Sequence, residues 1–351
     1  MDSDSTAKPG NPAATSTPVR LSVCICTYNG GARLPAVFEC LIRQTAPREQ
    51  WEILVVNNAS KDDTASVAAD LLRQPGLPEG RIAPEPEQGI TFARRRAAIE
   101  ARGEIVCFLD DDNLPNPDYV ATALRIFAEH PKTGSVGGKI KAEWEVEPTP
   151  LVRAVEQYAL AIVDMGEEPR VFTWVAQGPV CAGMCIRRDM LLAALGDVEL
   201  CRAVPGRKGS RLTSGEDEVL AVKVYQAGYE RRYDPSLCMR HRLNSKRMTR
   251  EYLLRLYDGI GRGQTAVRRL WAPRGHLRSV VFLVGLKCFF MWLRGKISGP
   301  TEKKWLTHFP ESICAQYPEL RSDLHALEQS LIWGRMSAAL EYVFSKPKRG
   351  S

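Results

Sequence analysis

Ile105-Val106-Cys107-Phe108-Leu109-Asp110-Asp111-Asp112-Asn113 is a short apolar run that ends in three consecutive acids. The run is rich in β-formers and bounded by polar residues, which predicts a buried strand. A strand ending in acids places them at the carboxyl edge of a sheet, where open α/β folds hold their ligands. Adjacent carboxylates repel one another unless a cation or hydrogen-bond donors neutralise them. Oxygen ligands on a strand end suit a hard divalent ion, Mg²⁺ or Mn²⁺, shared with substrate phosphates. A solvated acidic turn before Asn113-Leu114-Pro115-Asn116-Pro117 is the competing reading of the triplet alone.

The residues upstream repeat the same plan. Leu21-Ser-Val-Cys-Ile-Cys-Thr27 is a first strand, closed by the polar turn Thr27-Tyr28-Asn29-Gly30-Gly31. A helix is expected over 33–44, then a strand over 51–56 ending in Asn57-Asn58-Ala59-Ser60, with Ser60 or Asp62 as cap of the next helix. A third strand near 81–85 and a helix over 92–101 lead into the acidic run, with Arg102-Gly103 as a glycine cap. Strand and helix thus alternate three times. This predicts a parallel, doubly wound α/β sheet whose ligand edge gathers Thr27–Asn29, Asn57–Ser60 and Asp110–Asp112.

This pattern resembles an inverting family 2 glycosyltransferase of the GT-A fold, a Rossmann-like, mostly parallel sheet flanked by helices. The resemblance rests on Val23-Cys-Ile-Cys-Thr-Tyr-Asn29, Ile53-Leu-Val-Val-Asn-Asn-Ala-Ser60 with Asp63-Thr64, Gly89-Ile-Thr-Phe-Ala-Arg-Arg95, and 101–112. It covers roughly residues 20–245. It implies a nucleoside-diphosphate-sugar donor, a divalent cation (Mg²⁺ or Mn²⁺), and a saccharide or lipid-linked acceptor, with no nucleic acid among the partners. By that resemblance Thr27, Tyr28 and Asn29 line the base and ribose. Asn57 falls where relatives carry an Asp that contacts the base, so this position departs from the pattern. Arg94 matches the nucleotide-side Arg of an Ala-Arg-Asn motif, and Arg95 stands where that motif has Asn. Asp110 and Asp112 match the Asp-x-Asp pair, the first toward the ribose and metal and the second on the metal. Asp111 stands between them on the nucleotide side.

Further along, helices are expected over 118–130 and 151–163, and strands over 135–141 and 171–175. The resemblance makes Gln177–Arg188 a Gly-containing strand bordering acceptor and donor sugar; the residues alone also fit a central strand with a packing glycine at Gly183. Residues 201–213 read as a loop, either a lid over the active site or a plain surface loop. Ser214-Gly215-Glu216-Asp217-Glu218 opens a helix with Leu220, Val224 and Tyr225 on its inner face. Acids are stabilised at a helix start in any protein. The resemblance makes Asp217 the catalytic base, with Glu216 assisting, and makes His241 a third metal ligand or a diphosphate contact. Strands are expected over 231–234 and 237–241.

Residues 244–351 are expected as a helical C-terminal extension of a catalytic domain at 20–243. Arg242, Arg247 and Gly259–Gln264 resemble a tail of bacterial polysaccharide-assembly enzymes. Residues 279–293 are the most apolar stretch. Fifteen residues fall short of the roughly 20 that span a bilayer, so the segment either lies in a membrane interface or packs on the catalytic domain.

Composition bounds these readings. The 351 residues are 44% hydrophobic and 25% charged, ordinary for a globular protein. The net charge of +7 is uneven, with sixteen Lys/Arg against three acids over 231–299, a face suited to phosphate-bearing substrates or anionic lipid. The ten cysteines lack the two-residue spacing of a zinc ribbon. Several lie in apolar strands, which points to reduced thiols and a cytoplasmic location, peripheral to the inner face of the cell membrane if the apolar segment binds lipid. Residues 1–19 read as a disordered tail rather than a signal peptide. Two other classes use similar sheets: a nucleotide-sugar pyrophosphorylase or other nucleotidyltransferase, and a non-catalytic nucleotide-sugar-binding module. Asn29-Gly30-Gly31-Ala32-Arg33 only faintly echoes the phosphate loop of the first, and retention of both acidic motifs weighs against the second.

Overall fold

A computed structural model describes residues 18–204, 206–209, 211–271, 277–298 and 311–344. The expected tail at 1–19 lies almost wholly outside these residues, as does the basic stretch after 344. The chain runs β1 (Leu21–Thr27), α1 (Leu34–Ile42), β2 (Trp51–Asn57), α2 (Thr64–Leu72), β3 (Gly80–Pro84), α3 (Ile90–Glu100), β4 (Ile105–Asp110) and β5 (Asn113–Pro115). It continues through α4 (Tyr119–Glu129), β6 (Thr133–Trp144), α5 (Pro150–Ala159), β7 (Arg170–Val171), β8 (Cys185–Arg187), α6 (Arg188–Leu195) and α7 (Val198–Ala203). The hairpin β9 (Arg207–Lys208) and β10 (Arg211–Leu212), α8 (Glu216–Gln226), β11 (Glu230–Leu243), α9 (Arg250–Trp271), α10 (Leu277–Ser298), α11 (Glu311–Gln316) and α12 (Arg321–Phe344) complete it.

The main sheet has the order β3-β2-β1-β4-β8-β6-β11-β5, with β7 beside β11. The first four strands are parallel, as expected, and so are β6 and β11. The second half is mixed: β8 runs antiparallel to both β4 and β6, and β5 antiparallel to β11. Alternate residues of β1, β2 and β4 face opposite sides, as strand geometry requires. Val23, Ile25, Cys107 and Leu109 join a core with α1, α2 and α4. Cys24, Cys26, Val106 and Phe108 join another with α3, α6 and α8. Register sets Thr27 opposite Asn57 and Cys26 opposite Asp110, so the polar strand ends share one edge.

Several local expectations change. Arg102-Gly103 is not a helix cap: α3 ends at Ala101 in an extended conformation, and Gly103 instead lies against the backbone of Leu21 and Ser22. The two closing strands are one, β11, with a register shift between Tyr233 and Cys238 that accommodates Pro235, which cannot donate to a ladder. The strand over 171–175 shrinks to two residues. The carbonyls of Phe172, Trp174, Val175 and Gln177 accept hydrogen bonds from the buried Arg231 guanidinium, leaving no ladder to form. Only Cys185–Arg187 of the expected 177–188 strand pairs in the sheet. Residues 201–213 hold the end of α7 and a hairpin, and Tyr225 is exposed rather than inward.

The C-terminal helices share the main core: Leu253, Leu256 and Tyr257 of α9 and Leu324, Leu327 and Leu331 of α12 join it. Helix α9 also carries glycine where other segments of the chain touch it. A Cβ at Gly263 would stand 1.7 Å from the Ser214 carbonyl oxygen, and one at Gly259 2.2 Å from that of Leu212. The segment that leads into α8 therefore lies directly on the α9 backbone. Helix α10 packs along α12, with Trp292 5.4 Å from Trp333 and Cys288 buried, while Phe282, Leu283, Leu286 and Phe290 stay exposed.

Glu52 ties the far side of the sheet together. Buried on β2, it accepts from Ser22 Oγ at 2.6 Å and from the Arg102 N–H at 2.8 Å, and it pairs with Arg81. Burial alone would raise its pKa, but the Arg81, Ser22 and Arg102 hydrogen bonds outweigh burial and lower it. A lowered pKa stabilises the fold above the unfolded carboxyl value, and that contribution is lost as pH falls through the folded value. Glu52→Ala, which strips a buried hub of its charge, is expected to cost about 3–5 kcal/mol in urea denaturation at pH 7. The deficit should shrink as the pH falls below the carboxyl range. A deficit independent of pH would contradict the ionic account.

Candidate active site

The acid triplet leaves the sheet where β4 stops, and strand alternation sends its carboxylates to different sides. Asp110 continues the parity of Phe108 toward the α3 and α8 face. There its carboxylate lies 3.7 Å from the Arg94 guanidinium. Its backbone N–H donates to Asn113 Oδ1 at 3.0 Å, which folds the triplet into a tight turn. Burial raises its pKa, with Arg94 working against burial and the neighbouring Asp112 adding to it.

Asp111 follows the parity of Leu109 toward α1. Arg33 grips it with two hydrogen bonds, Nε to Oδ1 at 2.7 Å and Nη2 to Oδ2 at 2.8 Å. Thr27 Oγ1 donates to the same Oδ2 at 2.5 Å. Gly30 makes this lock fit: a Cβ there would lie 2.0 Å from Thr27 Oγ1 and 2.4 Å from Asp111 Oδ2. Thr27 and Asp111, both expected beside the nucleotide, thus spend their side chains on each other and on Arg33.

Asp112 faces the far half of the sheet. The antiparallel β5–β11 ladder sets Asn113 opposite His241, which brings His241 Nε2 to 3.5 Å from Asp112 Oδ1. Arg247, on the 3₁₀ turn Ser245–Met248 before α9, reaches Asp112 Oδ2 at 3.0 Å and His241 Nε2 at 3.0 Å. A guanidinium only donates, so Nε2 accepts, and His241 Nδ1–H donates to the Leu160 carbonyl at 3.0 Å. Burial disfavours the Asp112 charge, but the neighbouring cationic groups, with the Arg247 guanidinium in contact, outweigh burial and hold the carboxyl well below the usual carboxylate range.

The other acidic motif sits across Arg94. Glu216 is the first residue of α8 and Asp217 the second. Arg94 Nη1 donates to Glu216 Oε1 at 3.1 Å, and its guanidinium lies over the Phe108 ring at 5.4 Å. One buried arginine therefore links the donor-side strand to the start of α8. Arg94 Nε and Glu216 Oε2 are buried without a hydrogen-bond partner. Burial, and after it the Asp217 charge, raises the Glu216 pKa. Asp217 Oδ1 accepts the Cys181 N–H at 3.1 Å, which ties α8 to the 178–183 segment.

At the ends of β1 and β2, the Asn57 side chain accepts from the Ser60 N–H at 3.2 Å. Asn29, at φ 50°, accepts from the Lys61 N–H at 2.8 Å, and its own N–H donates to Ser60 Oγ at 3.0 Å. Tyr28, between these turns, is half-buried. Motif reading does not single out three residues that the structure brings to the candidate site. Asn58, buried, holds the 85–89 loop through Glu87 O and Gly89 N. Arg33 was read only as part of a faint phosphate-loop echo. Arg207, on the β9–β10 hairpin, lies close enough to act electrostatically on Asp110, Asp112 and Glu216. Its loop position was the only signal.

The residues fit a hard divalent ion. Asp112 and His241 converge, and the Leu160 carbonyl fixes the histidine tautomer, as partners of ligating histidines do. Among the described residues no group of three or more His, Cys, Asp or Glu forms a complete cage. Two protein ligands suit an ion that draws the rest of its shell from phosphates and water.

Comparison with known sequences meets this geometry. Residues 22–193, just under half of the chain, match Glycosyl transferase family 2, and this segment is a glycosyltransferase domain of that kind. Its fold is GT-A: a mannosyltransferase from Pyrobaculum calidifontis superposes with a TM-score of 0.55 at 18% identity, over 94% of this chain and 90% of that one. Two curated relatives are from Haloferax volcanii. The glucosyl-dolichyl phosphate glucuronosyltransferase is 23% identical over 245 residues, 67% of this chain and 73% of the relative. Glycosyltransferase AglE is 33% identical over 107 residues, 30% of this chain and 34% of the relative. The match thus spans only about a third of some curated relatives.

Asp111→Asn weakens the bidentate pair with Arg33 and is expected to lower stability by about 1–3 kcal/mol. Its Mn²⁺ affinity, read by electron paramagnetic resonance, should stay within about threefold of wild type, since the lost charge is one of three. A loss of Mn²⁺ binding as deep as that of Asp112→Asn would put Asp111 on the ion.

Proposed function

We propose that the protein transfers a sugar, with inversion at C1, from a nucleoside-diphosphate sugar to a hydroxyl of a saccharide or lipid-linked saccharide, with a Mg²⁺ or Mn²⁺ ion. The observation that carries this reading is Arg94, buried between Asp110 at the donor-side strand end and Glu216 beside Asp217. Its position brings the two acidic motifs, more than a hundred residues apart, to one place. The family match supports the reaction class, and the name of the Haloferax relative at 23% identity supports a lipid-linked acceptor.

In this reading Tyr28, Asn29 and the 57–61 turn receive the nucleoside, with Thr27, Arg33 and Asp111 bracing the turn from behind. Asp110 faces the ribose. Asp112 and His241 hold the ion, which supplies Lewis-acid stabilisation of the charge on the leaving diphosphate. The Asp217 carboxylate takes the acceptor hydroxyl proton as that oxygen attacks C1. The C1–O bond to the diphosphate breaks on the opposite face, and the nucleoside diphosphate leaves with the electron pair. Arg94 holds Glu216 and so fixes the start of α8 beneath Asp217. Residues 20–243 carry the chemistry, and the C-terminal helices frame it.

Asp217→Asn keeps size and hydrogen bonding but cannot take the proton. Transfer is expected to fall about 10²–10⁴-fold with donor affinity retained, and the wild-type product should have inverted anomeric configuration. A merely helix-stabilising role would cost about 1 kcal/mol at most and leave transfer near normal. Near-normal transfer would remove Asp217 from the mechanism.

Membrane association belongs to the same proposal. No helix among the described residues is long and apolar enough to cross a bilayer, yet α10 both packs on α12 and exposes Phe282, Leu283, Leu286 and Phe290. Flotation with anionic liposomes should recover the protein at low salt and release part of it at high salt. Failure to float at either ionic strength would restrict α10 to its packing role.

A further inference from the structure

Arg247 lies where an ion shared by Asp112 and His241 would lie. Its Nη1 is 3.0 Å from His241 Nε2, and its guanidinium is 3.0 Å from Asp112 Oδ2. The two acceptors are themselves only 3.5 Å apart, measured to Asp112 Oδ1. The histidine tautomer decides what this means. Because Nδ1–H is used on the Leu160 carbonyl, Nε2 has one lone pair, and Arg247 takes it. A metal bond to Nε2 needs that same lone pair. Hydrogen bond and metal bond are therefore exclusive, whatever the charges do. Charge adds to the exclusion, since a guanidinium stays protonated in proteins and repels a divalent ion at contact distance.

The other two arginines at the triplet do not compete in this way. Arg33 occupies Asp111 on the α1 side, and Arg94 stands beside Asp110 with Glu216 as its closer partner. Only Arg247 engages both members of the candidate ion pair. It also has somewhere to go: it sits on a single 3₁₀ turn between β11 and α9, and its side chain keeps 19% exposure.

We infer that Arg247 is an internal stand-in for the divalent ion: its guanidinium neutralises Asp112 and caps His241 Nε2 in the metal-free protein, and ion binding requires it to leave. This rests on the reading of Asp112 and His241 as the ion's ligands. Its consequence is that the ion binds more weakly than these ligands alone would bind it, because a charge-assisted contact must first break.

The test is direct Mn²⁺ titration of chelator-treated full-length protein by electron paramagnetic resonance, without nucleotide or acceptor. Arg247→Ala is expected to bind Mn²⁺ at least tenfold more tightly than wild type. Arg247→Gln, which can still donate to Nε2 but carries no charge, should fall between the two and covers the case in which the alanine variant folds poorly. Melting temperature gives a second readout, since an ion that binds only the folded state raises it. Saturating Mn²⁺ should raise it more in both variants than in wild type. Equal affinity in wild type and variants, with binding lost in His241→Gln, would overturn the stand-in role while leaving the ligand assignment intact. Mn²⁺ binding that survives both Asp112→Asn and His241→Gln, or no binding by any form at millimolar ion, would overturn the ligand assignment and the inference together.

Discussion

Three carboxylates in consecutive positions at a strand end cannot be left to repel one another in a half-buried edge. This fold answers each with a different arginine: Arg94 for Asp110, Arg33 for Asp111, and Arg247 for Asp112. The partners come from α3, from the turn before α1, and from the turn before α9. Neutralising the triplet therefore draws three distant parts of the chain to one edge, and the site's architecture follows from that. The three pairings also differ in kind. Asp111 is locked bidentately and braces the nucleotide-side turn. Asp110 shares Arg94 with Glu216 and so couples strand end to helix start. Asp112 shares Arg247 with a histidine lone pair, the one arrangement of the three in which an arginine covers both proposed ion ligands.

The second constraint is close packing behind α8. Gly259 and Gly263 let the 212–215 segment rest on the backbone of α9. Their side of the helix sets the height at which Glu216 and Asp217 enter the site. Helix α9 in turn sits in the same core as the sheet. The C-terminal helices thus bear on the position of the acidic pair without contributing an acid to it, and the β9–β10 hairpin, with Arg207, hangs from the same segment.

The first half of the sheet was legible because its signals are local. Short, nearly continuous apolar runs ending in Thr27, Asn57 and Asp110 state both the strand and the edge. The sheet's second half was not legible. The short β8 and β5 strands pair antiparallel with partners far along the chain, and no local pattern encodes that choice. Pro235 inside β11 read as a break because a bulge looks the same as a loop in sequence. Within the candidate site, motif reading points to Asp110, Asp112, Arg94, Glu216, Asp217 and His241. Their partners were harder. Arg33 lies among many arginines in a basic chain, and Arg247 stands out only as part of a tail resemblance that names no partner, so three-dimensional proximity is what pairs each with its acid. Asp111 shows the reverse: its motif position suggested the nucleotide, while strand parity and Gly30 direct it to Arg33.

The account stands on where a divalent ion binds. Anomalous diffraction from crystals grown with Mn²⁺ and a nucleoside diphosphate locates it without reference to activity. The account predicts one ion peak about 2.0–2.2 Å from both Asp112 and His241 Nε2, with the Arg247 guanidinium moved off both groups and Asp111 still held by Arg33. An ion seated on Asp110 and Asp111, with Arg247 still bonded to His241, would contradict it.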